Sequence, residues 1–386
     1  MKFLGYLRAD GNVGVRNHLL VIPSVICANN TAQRIAQQLP GAVYITHEHG
    51  CGSHVPSDKA QTYRTLVGFA GNPNVGACIV VGLGCEGMKA ESIAADIAKT
   101  GKPVECIVIQ KVGGTIKAVS QGVTVGRQML GQISSQRRQE FDLSKLILAL
   151  ECGGSDTTSG IAANPAVGVA SDLLVQAGGT SILSETTELV GAEHLLARRA
   201  INKEVADRIL QVVHRAESKG HKQGVDMTNL APGNRDGGLS TVEEKSLGCC
   251  YKAGSSPVSE VVEYAFRPSR TGLVIMDTPG YDVESITGMV AGGAQVVVFT
   301  TGRGTPVGCP IAPVIKVCGN SSTYEKMQDN IDINAGVIID GISSVQDVGR
   351  DMFREIIEVS NGKLTKAEQL GFGDFSITRI FEADYC

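Results

Sequence analysis

The sequence lacks tryptophan altogether, and aromatic residues make up only 4% of its 386 positions. It also lacks any run of about 18 uncharged apolar residues, so no transmembrane helix is expected. The formal net charge of -4 provides neither a basic footprint for nucleic acid nor a polybasic patch for a membrane surface. The first ten residues contain neither the apolar segment nor the cleavage site of a signal peptide, so they are not expected to be one.

Cysteine is plentiful, with eleven residues, but its pattern excludes two common uses. No CxxC pair of the zinc-finger type is present, so a closed structural zinc site is not expected. The number is odd, and several thiols, such as Cys78, Cys106 and Cys318, lie inside apolar runs. This pattern favours reduced thiols in a cytoplasmic protein over a disulfide framework. For the adjacent pair Cys249-Cys250, a structural role is favoured over a reactive one.

The chain is long enough for two or three domains with a well-buried core. Apolar runs alternate with helical patterns, and a charged stretch from Ser134 to Asp142 separates two such series. The runs show no polar alternation, which is typical of parallel strands covered on both faces. We therefore predict an α/β protein of two layered domains, residues 1–140 and 141–386, with mainly parallel sheets. The predicted strands are 18–25, 42–46, 77–84, 104–110, 146–152, 179–186, 272–276, 295–299, 314–317 and 337–339.

The most reactive stretch of the sequence, Thr46 to His54, directly follows one of these strands. It concentrates three histidines, one glutamate and one cysteine within nine residues that also contain two glycines. Imidazole, thiolate and carboxylate groups bind transition metals and move protons near neutral pH. Loops past the carboxyl ends of strands are where α/β sheets bind their ligands. The alternative is a polar surface loop whose histidines are solvated.

Other predicted strands also end in glycine and a reactive side chain. If these ends converge, they form a concave site suited to metal-assisted chemistry on a small anion. Arg303, between two glycines, is suited to bidentate capture of a carboxylate. Each loop alone is weak evidence, because glycine-rich turns commonly follow strands in α/β folds. The reactive residues at the strand ends are Cys51, Cys85 with Glu86, Cys152 with Asp156, Glu185, Asp277 with Asp282, and Cys309.

Three further segments bear on which functions are expected. Gly113-Gly114-Thr115 opens a helix after a strand but matches neither GxGxxG nor a Walker motif, so neither dinucleotide nor nucleotide binding is expected there. Gly153-Gly154-Ser155 is not a nucleophile elbow, which requires GxSxG. The loop 228–240 is too long for a simple connector, so we expect it to act as a lid or binding loop.

Taken together, many segments from residue 5 to about 360 resemble the altronate/galactarate dehydratase family. Their order along the chain makes the resemblance far more specific than any single motif. The segments include HGCG at 49–52, VVGLGCE at 80–86, ECGGSD at 151–156, ANPA at 163–166, SET at 184–186, GAEH at 191–194, PGN at 232–234, DTPGYD at 277–282 and FTTGRG at 299–304. The stretch around His54 and the tail after Gly373 depart from the family pattern, which leaves the substrate open.

The resemblance implies a lyase that depends on a divalent metal, expected to be Fe²⁺. Removing the α-proton of a carboxylate creates a dianion, which a divalent cation and an arginine or amide pocket would stabilise. Loss of the β-hydroxyl then yields an enol that tautomerises to a 2-oxo-3-deoxy acid. Full-length members resemble a small SAF-type domain followed by the region matched here. The resemblance therefore implies the large subunit of a split enzyme, with a small SAF-domain subunit as partner, and we expect an oligomer.

The residues of these motifs are assigned candidate roles. Those for metal binding are Cys51, Cys85, Glu86 and Cys152. Those for acid–base catalysis are Glu185, Asp277 and His49, of which Glu185 and Asp277 are also candidates for positioning other groups. Those for substrate binding are Arg303, Asn17, Ser155 and Asp156. Mixed thiolate, imidazole and carboxylate ligands favour Fe²⁺ or Zn²⁺ over Mg²⁺.

The sequence leaves three functions open. The first is dehydration of a sugar acid of the altronate or galactarate type. The second is the large subunit of a (2R)-sulfolactate sulfo-lyase, in which the same carbanion chemistry would expel sulfite and leave pyruvate. The third is a non-catalytic subunit that binds sugar acids, which would bind a ligand without turnover.

Overall fold

A computed structural model describes residues 1–51, 55–222, 224 and 230–380. Its first part alternates short strands and helices, with the longer helices following the apolar strands. The elements are β1 (Lys2–Leu7), β2 (Val13–Gly14), β3 (His18–Pro23), α1 (Asn29–Ala36), β4 (Val43–Tyr44), α2 (Pro56–Gly71), β5 (Val75–Gly82), α3 (Ala90–Ala98), β6 (Val104–Val108), α4 (Ile109–Val112), α5 (Thr115–Ser134) and β7 (Gln139–Asp142).

The remainder of the chain continues the alternation with more helix between some strands. The elements are β8 (Ile147–Cys152), α6 (Asn164–Gln176), β9 (Thr180–Leu183), α7 (Glu193–Ala197), α8 (Lys203–Lys222), α9 (Pro232–Asp236), α10 (Val242–Lys252), β10 (Val258–Val262), β11 (Gly272–Met276), α11 (Asp282–Ala291), β12 (Val296–Thr301), β13 (Val314–Cys318), α12 (Ser321–Lys326), β14 (Ile333–Asn334), α13 (Val345–Ser360) and α14 (Lys366–Gln369).

The first parallel sheet has four strands in the order β4-β3-β5-β6. Successive residues of a strand point to opposite faces, and both faces are covered here. Leu19 and Val21 of β3 pack towards α1 and α5, whereas Leu20 and Ile22 pack towards α2 and α3. This two-sided burial explains why the strands are apolar at every position.

The second parallel sheet has seven strands in the order β10-β11-β9-β8-β12-β13-β14. Every residue of its central strands β8 and β12 is buried. Helices α6 and α13 cover one face, and α11 covers the other. The order places the carboxyl ends of β8, β9, β11 and β12 next to one another. The predicted fold class, layered α/β structure with mainly parallel sheets, is confirmed.

Some local predictions were wrong. The charged stretch 134–142, expected as a linker between the two series, includes strand β7, which pairs antiparallel with the N-terminal strand β1 in a small sheet of order β2-β1-β7. The strand predicted at 337–339 is instead a short 3-10 turn, Gly336–Ile338, because β14 ends at Asn334 after only two pairs with β13. Strand β10 was missed because its sequence, VSEVV, mixes polar and apolar residues at the sheet edge.

Helices α2 and α11 pack side by side and run in the same direction. A side chain at Gly68 of α2 would lie 2.5 Å from the Ala291 carbonyl oxygen at the end of α11. Nearer their N-terminal ends, Gln61 of α2 and Glu284 of α11 both hydrogen-bond to Thr378. Because a helix in an α/β unit begins near the carboxyl end of the preceding strand, the carboxyl edges of the two sheets face the same side. Within the described ranges, the helices are too short or too polar to cross a membrane.

Candidate active site

The side chains of Cys152, Glu188 and Cys249 form a compact triad at the carboxyl edge of the seven-stranded sheet. The two sulfur atoms lie 3.5 Å apart, and the Glu188 Oε2 atom lies 3.3 Å from Cys152 Sγ and 3.0 Å from Cys249 Sγ. In the part of the chain that the structure describes, these are the three residues whose thiols and carboxylates are placed to hold one metal ion. Both cysteines are buried, and the Glu188 side chain is only 10% exposed.

Three separate segments build this triad. Cys152 is the last residue of β8. Glu188 lies on a short 3-10 turn, Thr186–Leu189, that follows β9. Cys249 lies on α10 between Lys245 and Lys252, and the spacing of four and three residues places all three on one helix face. The Lys245 ammonium pairs with Glu188, so α10 contributes both a thiol and a neutralising charge.

Glu185 lies next to Cys152 of the triad and is completely buried. Its carboxylate accepts a 3.1 Å hydrogen bond from the Cys152 backbone N–H and pairs with the equally buried Lys252 ammonium. Burial raises the pKa of Glu185 to about 7, although Lys252 opposes the shift. The residue also has a left-handed backbone, with φ of 64°, a conformation that costs a non-glycine residue free energy and is concentrated at functional sites. The Glu185 amide is held there by the Thr278 hydroxyl oxygen at 2.7 Å.

The triad fits a transition-metal ion in distance and in charge. A tetrahedral ion bound by two thiolates at about 2.3 Å separates the sulfurs by about 3.8 Å, close to the distance found here. With both thiols ionised, Cys152, Cys249, Glu185 and Glu188 carry four negative charges against the two positive charges of Lys245 and Lys252. A divalent cation would neutralise the remaining two. Without one, the hydrogen bond with Cys249 and burial raise the pKa of the Cys152 thiol well above its usual value.

The other predicted residues of the seven-stranded sheet surround this centre. Asp277 follows β11, and its carboxylate is bound by Arg215 and by the Thr186 hydroxyl. Asp156 is buried and accepts hydrogen bonds from Ser159 N at 2.9 Å and Thr158 Oγ1 at 2.6 Å, so it caps the turn leading into α6.

Arg303 and Ser155 are connected to the segment that was predicted to be a lid or binding loop. Of the loop 228–240, residues 228 and 229 lie outside the described residues, and the rest forms α9 and its flanks. Asn234 Nδ2 donates to the buried Ser155 carbonyl at 2.8 Å, and Arg303 Nη1 donates to the Gly233 carbonyl at 3.0 Å. The Arg303 side chain remains 44% exposed. The loop therefore packs over the carboxyl ends of β8 and β12.

A second group of predicted residues lies at the carboxyl edge of the four-stranded sheet. It comprises His49, Cys51, Cys85 and Glu86, and the Gly87 N–H joins its two loops by donating to the Gly50 carbonyl at 3.1 Å. Both thiols are exposed. The Glu86 carboxylate accepts hydrogen bonds from Ser24 Oγ at 3.0 Å and from the Gly84 N–H. Residues 52–54 of the reactive stretch, including His54, lie outside the described residues.

Asn17 is placed apart from both groups. It precedes β3, at the amino edge of the sheet, whereas the other predicted residues follow the carboxyl ends of strands. Its side chain accepts from Arg8 Nη1 at 2.9 Å and donates to the Ile133 carbonyl at 2.8 Å. These contacts tie the N-terminal segment to the end of α5.

The structure thus brings Cys152, Glu185, Asp277, Ser155, Asp156 and Arg303 to one edge, and it adds residues that the sequence analysis did not select. Cys249, for which a structural role was favoured, contributes its thiol to the triad, whereas the neighbouring Cys250 thiol faces the Ala192 carbonyl. Glu188 was not predicted as a site residue, although it lies three residues after Glu185. The spacing of Lys245, Cys249 and Lys252 on one helix face was the available signal for α10.

Comparisons with known proteins cover nearly the whole chain. Residues 143–383 match the sequence model of the family described as D-galactarate/Altronate dehydratase, C-terminal, and residues 5–134 match D-galactarate dehydratase/Altronate hydrolase, second domain. An altronate dehydratase of Bacillus subtilis is 35% identical over 97% of this chain and 77% of its own length. The (2R)-sulfolactate sulfo-lyase subunit beta of Chromohalobacter salexigens is 37% identical over 99% of this chain and 98% of its own. A galactarate dehydratase (L-threo-forming) of Escherichia coli is 36% identical over 94% and 73%.

Proposed function

This chain belongs to the D-galactarate/altronate dehydratase family, as its sequence predicted, and we propose that it is a metal-dependent lyase that dehydrates a sugar acid to a 2-oxo-3-deoxy acid. The observation that supports metal dependence is the Cys152–Glu188–Cys249 triad at the carboxyl edge of the larger sheet. Its two sulfurs and one carboxylate favour Fe²⁺ or Zn²⁺ over Mg²⁺, and we propose Fe²⁺.

Different residues of the chain are proposed to carry out different parts of the reaction. A divalent cation held by the triad would stabilise the charge that develops on the substrate carboxylate when the α-proton leaves. Arg303, exposed beside the loop 230–240, would bind the carboxylate of the substrate. Glu185, buried and paired with Lys252, would hold the Cys152 backbone in place. His49 and Asp277 are proposed to move protons, the role predicted for them from sequence.

The remaining predicted roles are kept as proposals. Ser155 and Asp156 shape the loop that follows Cys152, next to the space where substrate would bind. Cys51, Cys85 and Glu86 lie at the other sheet, so a ligand role for them would require a second metal-binding group. Asn17, at the amino edge, is the predicted substrate-binding residue with the least support from its position.

A second function, the large subunit of a (2R)-sulfolactate sulfo-lyase, is favoured by one observation. The sulfo-lyase subunit beta is 37% identical to this chain over 99% of the chain, which is at least as similar as the altronate and galactarate dehydratases at 35% and 36%. The name of that relative also supports a partner subunit for this chain, which we propose carries the SAF-type domain. Elimination of sulfite would use the same α-proton removal with another leaving group.

A turnover screen tests these proposals. The protein is purified anaerobically with Fe²⁺, with and without a co-expressed SAF-domain subunit, and supplied with altronate, galactarate, other aldonates and sulfolactate. A 2-oxo acid without sulfite supports the dehydratase, and sulfite with pyruvate supports the sulfo-lyase. Binding of a sugar acid without turnover, in a preparation shown to contain metal and partner, would contradict both and favour a binding subunit.

A further inference from the structure

A buried row of side chains crosses three neighbouring strands next to the triad. Glu151 of β8, Phe299 of β12 and Lys316 of β13 are paired in register, so their side chains share one face of the sheet. All three are at most 1% exposed. The Lys316 Nζ atom lies 3.3 Å from the centre of the Phe299 ring. It has no hydrogen-bond partner among the described residues, and neither has Glu151 Oε1.

An unpaired buried ammonium is costly, so its retention calls for a reason. The cation–π contact with Phe299 offsets only part of the cost. Among the charged groups near Lys316, Asp282 has the strongest electrostatic interaction with the Lys316 ammonium. These groups are Asp282 at the start of α11, Glu151 on β8, Asp332 before β14 and Asp374 in the C-terminal segment.

Asp282 connects this row with the triad. A β-carbon on Gly153, which directly follows Cys152, would lie 2.1 Å from Asp282 Oδ2 and 2.6 Å from Phe299 Cζ. The Asp282 carboxylate and the Phe299 ring therefore meet at Gly153, and Lys316 lies against the same ring. Asp282 itself is half-buried, and the preceding residue, Tyr281, is exposed. The charged groups that act on Asp282 are Glu188, Lys245 and Lys316.

Burial shifts the pKa of each of the two groups towards neutrality. Burial raises the pKa of Asp282 to about 6, a shift that Glu188 increases and Lys316 opposes. Burial lowers the pKa of Lys316 to about 7. A carboxyl group with a raised pKa, close to the charged side chains of the triad, is suited to act as a general acid.

We propose that Asp282 is a proton donor of this site. We further propose that Lys316, on the buried side of Asp282, is a positioning residue whose positive charge stabilises the Asp282 carboxylate. In the dehydration, the carbon–oxygen bond breaks, its electron pair goes to the departing hydroxyl oxygen, and the Asp282 carboxyl supplies the proton that makes the leaving group water. The Lys316 ammonium then stabilises the carboxylate that remains. This assignment of a step rests on the proposed function, whereas the coupling of the two side chains does not.

The coupling can be measured without a substrate. Aspartate labelled with ¹³C at Cγ is incorporated, the Asp282 signal is assigned by its loss in Asp282→Asn, and its titration is followed by NMR. In Lys316→Met the midpoint should rise by about half a pH unit or more, because a nearby positive charge is lost. Lys316→Gln is a second variant in case the first does not fold, and Lys326→Met, on the exposed end of α12, is the matched control. An unchanged midpoint in a folded Lys316 variant would overturn the coupling.

The proton-donor role is tested on the substrate found by the turnover screen. Because the donor must be protonated, the alkaline limb of the kcat profile should move to higher pH in Lys316→Met and should be lost, with a lower kcat, in Asp282→Asn. An unchanged kcat profile in Asp282→Asn overturns the role even if the NMR shift is present. If the parent protein turns over none of the acids, the proposed function fails, and the NMR titration still decides whether Lys316 sets the charge of Asp282.

Discussion

The sulfur atom of Cys152 lies 3.5 Å from that of Cys249, although the two residues are 97 positions apart in the chain. One ends a central strand of the larger sheet and the other lies on helix α10, and Glu188 completes the group from a turn between them. Two neighbouring lysines are paired with glutamates at this point, which leaves a net negative charge when the thiols are ionised. The two thiols and the carboxylate are placed close enough together to hold one metal ion.

Replacing a triad cysteine should remove the metal. We expect Cys249→Ser and Cys152→Ser to lose most of the bound iron or zinc, because serine is a far weaker ligand than thiolate for these ions. Metal content after anaerobic purification, measured by mass spectrometry, checks this. Cys250→Ser is the matched control, since its thiol faces a backbone carbonyl and lies outside the triad. Full metal content in both triad variants would exclude this site.

The same measurement examines the ligands predicted from sequence at the smaller sheet. Cys51 and Cys85 are exposed and lie outside the triad. If they bind a second ion, Cys51→Ser and Cys85→Ser should each lower the metal content while the triad remains occupied. Metal content equal to that of the parent protein would limit metal binding to the larger sheet.

Removing the charge of Lys252 should destabilise the fold. In Lys252→Met the Glu185 carboxylate would be buried without its partner, and breaking such a pair costs about 3–5 kcal/mol. The free energy of unfolding, measured with urea, should fall by this order. In the double variant Lys252→Met/Glu185→Gln the lone charge is also removed, so part of the stability should return. Equal losses in the single and double variants would show that the pair itself is unimportant.

His47 should make the protein less stable in acid. Burial lowers its pKa from the usual 6.5 to about 4, and its neutral ring uses both nitrogens, with Nε2 bonded to the Pro23 carbonyl at 2.9 Å and Nδ1 accepting from His49 N–H at 3.1 Å. Since the unfolded state takes up the proton first, stability is fully present above pH 6.5 and is lost as pH falls towards 4. At about 1.4 kcal/mol per unit, the full loss is about 3 kcal/mol.

Urea unfolding at pH 7 and pH 5 checks this effect. His47→Gln cannot take up a proton, so its stability should change less between the two pH values than that of the parent protein. His221→Gln, at an exposed position of α8, is the control and should behave like the parent. If His47→Gln loses as much stability between pH 7 and pH 5 as the parent protein does, the acid sensitivity arises from other groups.

Arg303→Lys should weaken substrate binding. A lysine cannot form the two parallel hydrogen bonds of a guanidinium with a carboxylate, so we expect KM to rise about tenfold with a smaller change in kcat. Steady-state kinetics on the substrate identified by the screen provide the test. Arg350→Lys, whose side chain is exposed and pairs only with Asp347 on the same helix, is the control. An unchanged KM would remove Arg303 from the substrate site.

Much of the fold could be predicted because strands buried on both faces are apolar at every position. Val75–Gly82 and Ile147–Cys152 are examples, since all of their residues are buried. Short edge strands such as Val258–Val262 lack that signal and were missed. The division of the chain near residue 140 remains a prediction.

The sequence by itself determined the family, the α/β class and the tendency of reactive residues to follow strands, because these depend on local patterns along the chain. Only the tertiary structure decided which reactive residues meet. Strand order distributes the predicted residues between two sheets, and the packing of α10 and of the turn after β9 places Cys249 and Glu188 beside Cys152. It also aligns Glu151, Phe299 and Lys316 across three strands. Such contacts depend on how distant segments pack together, which no spacing within one segment records.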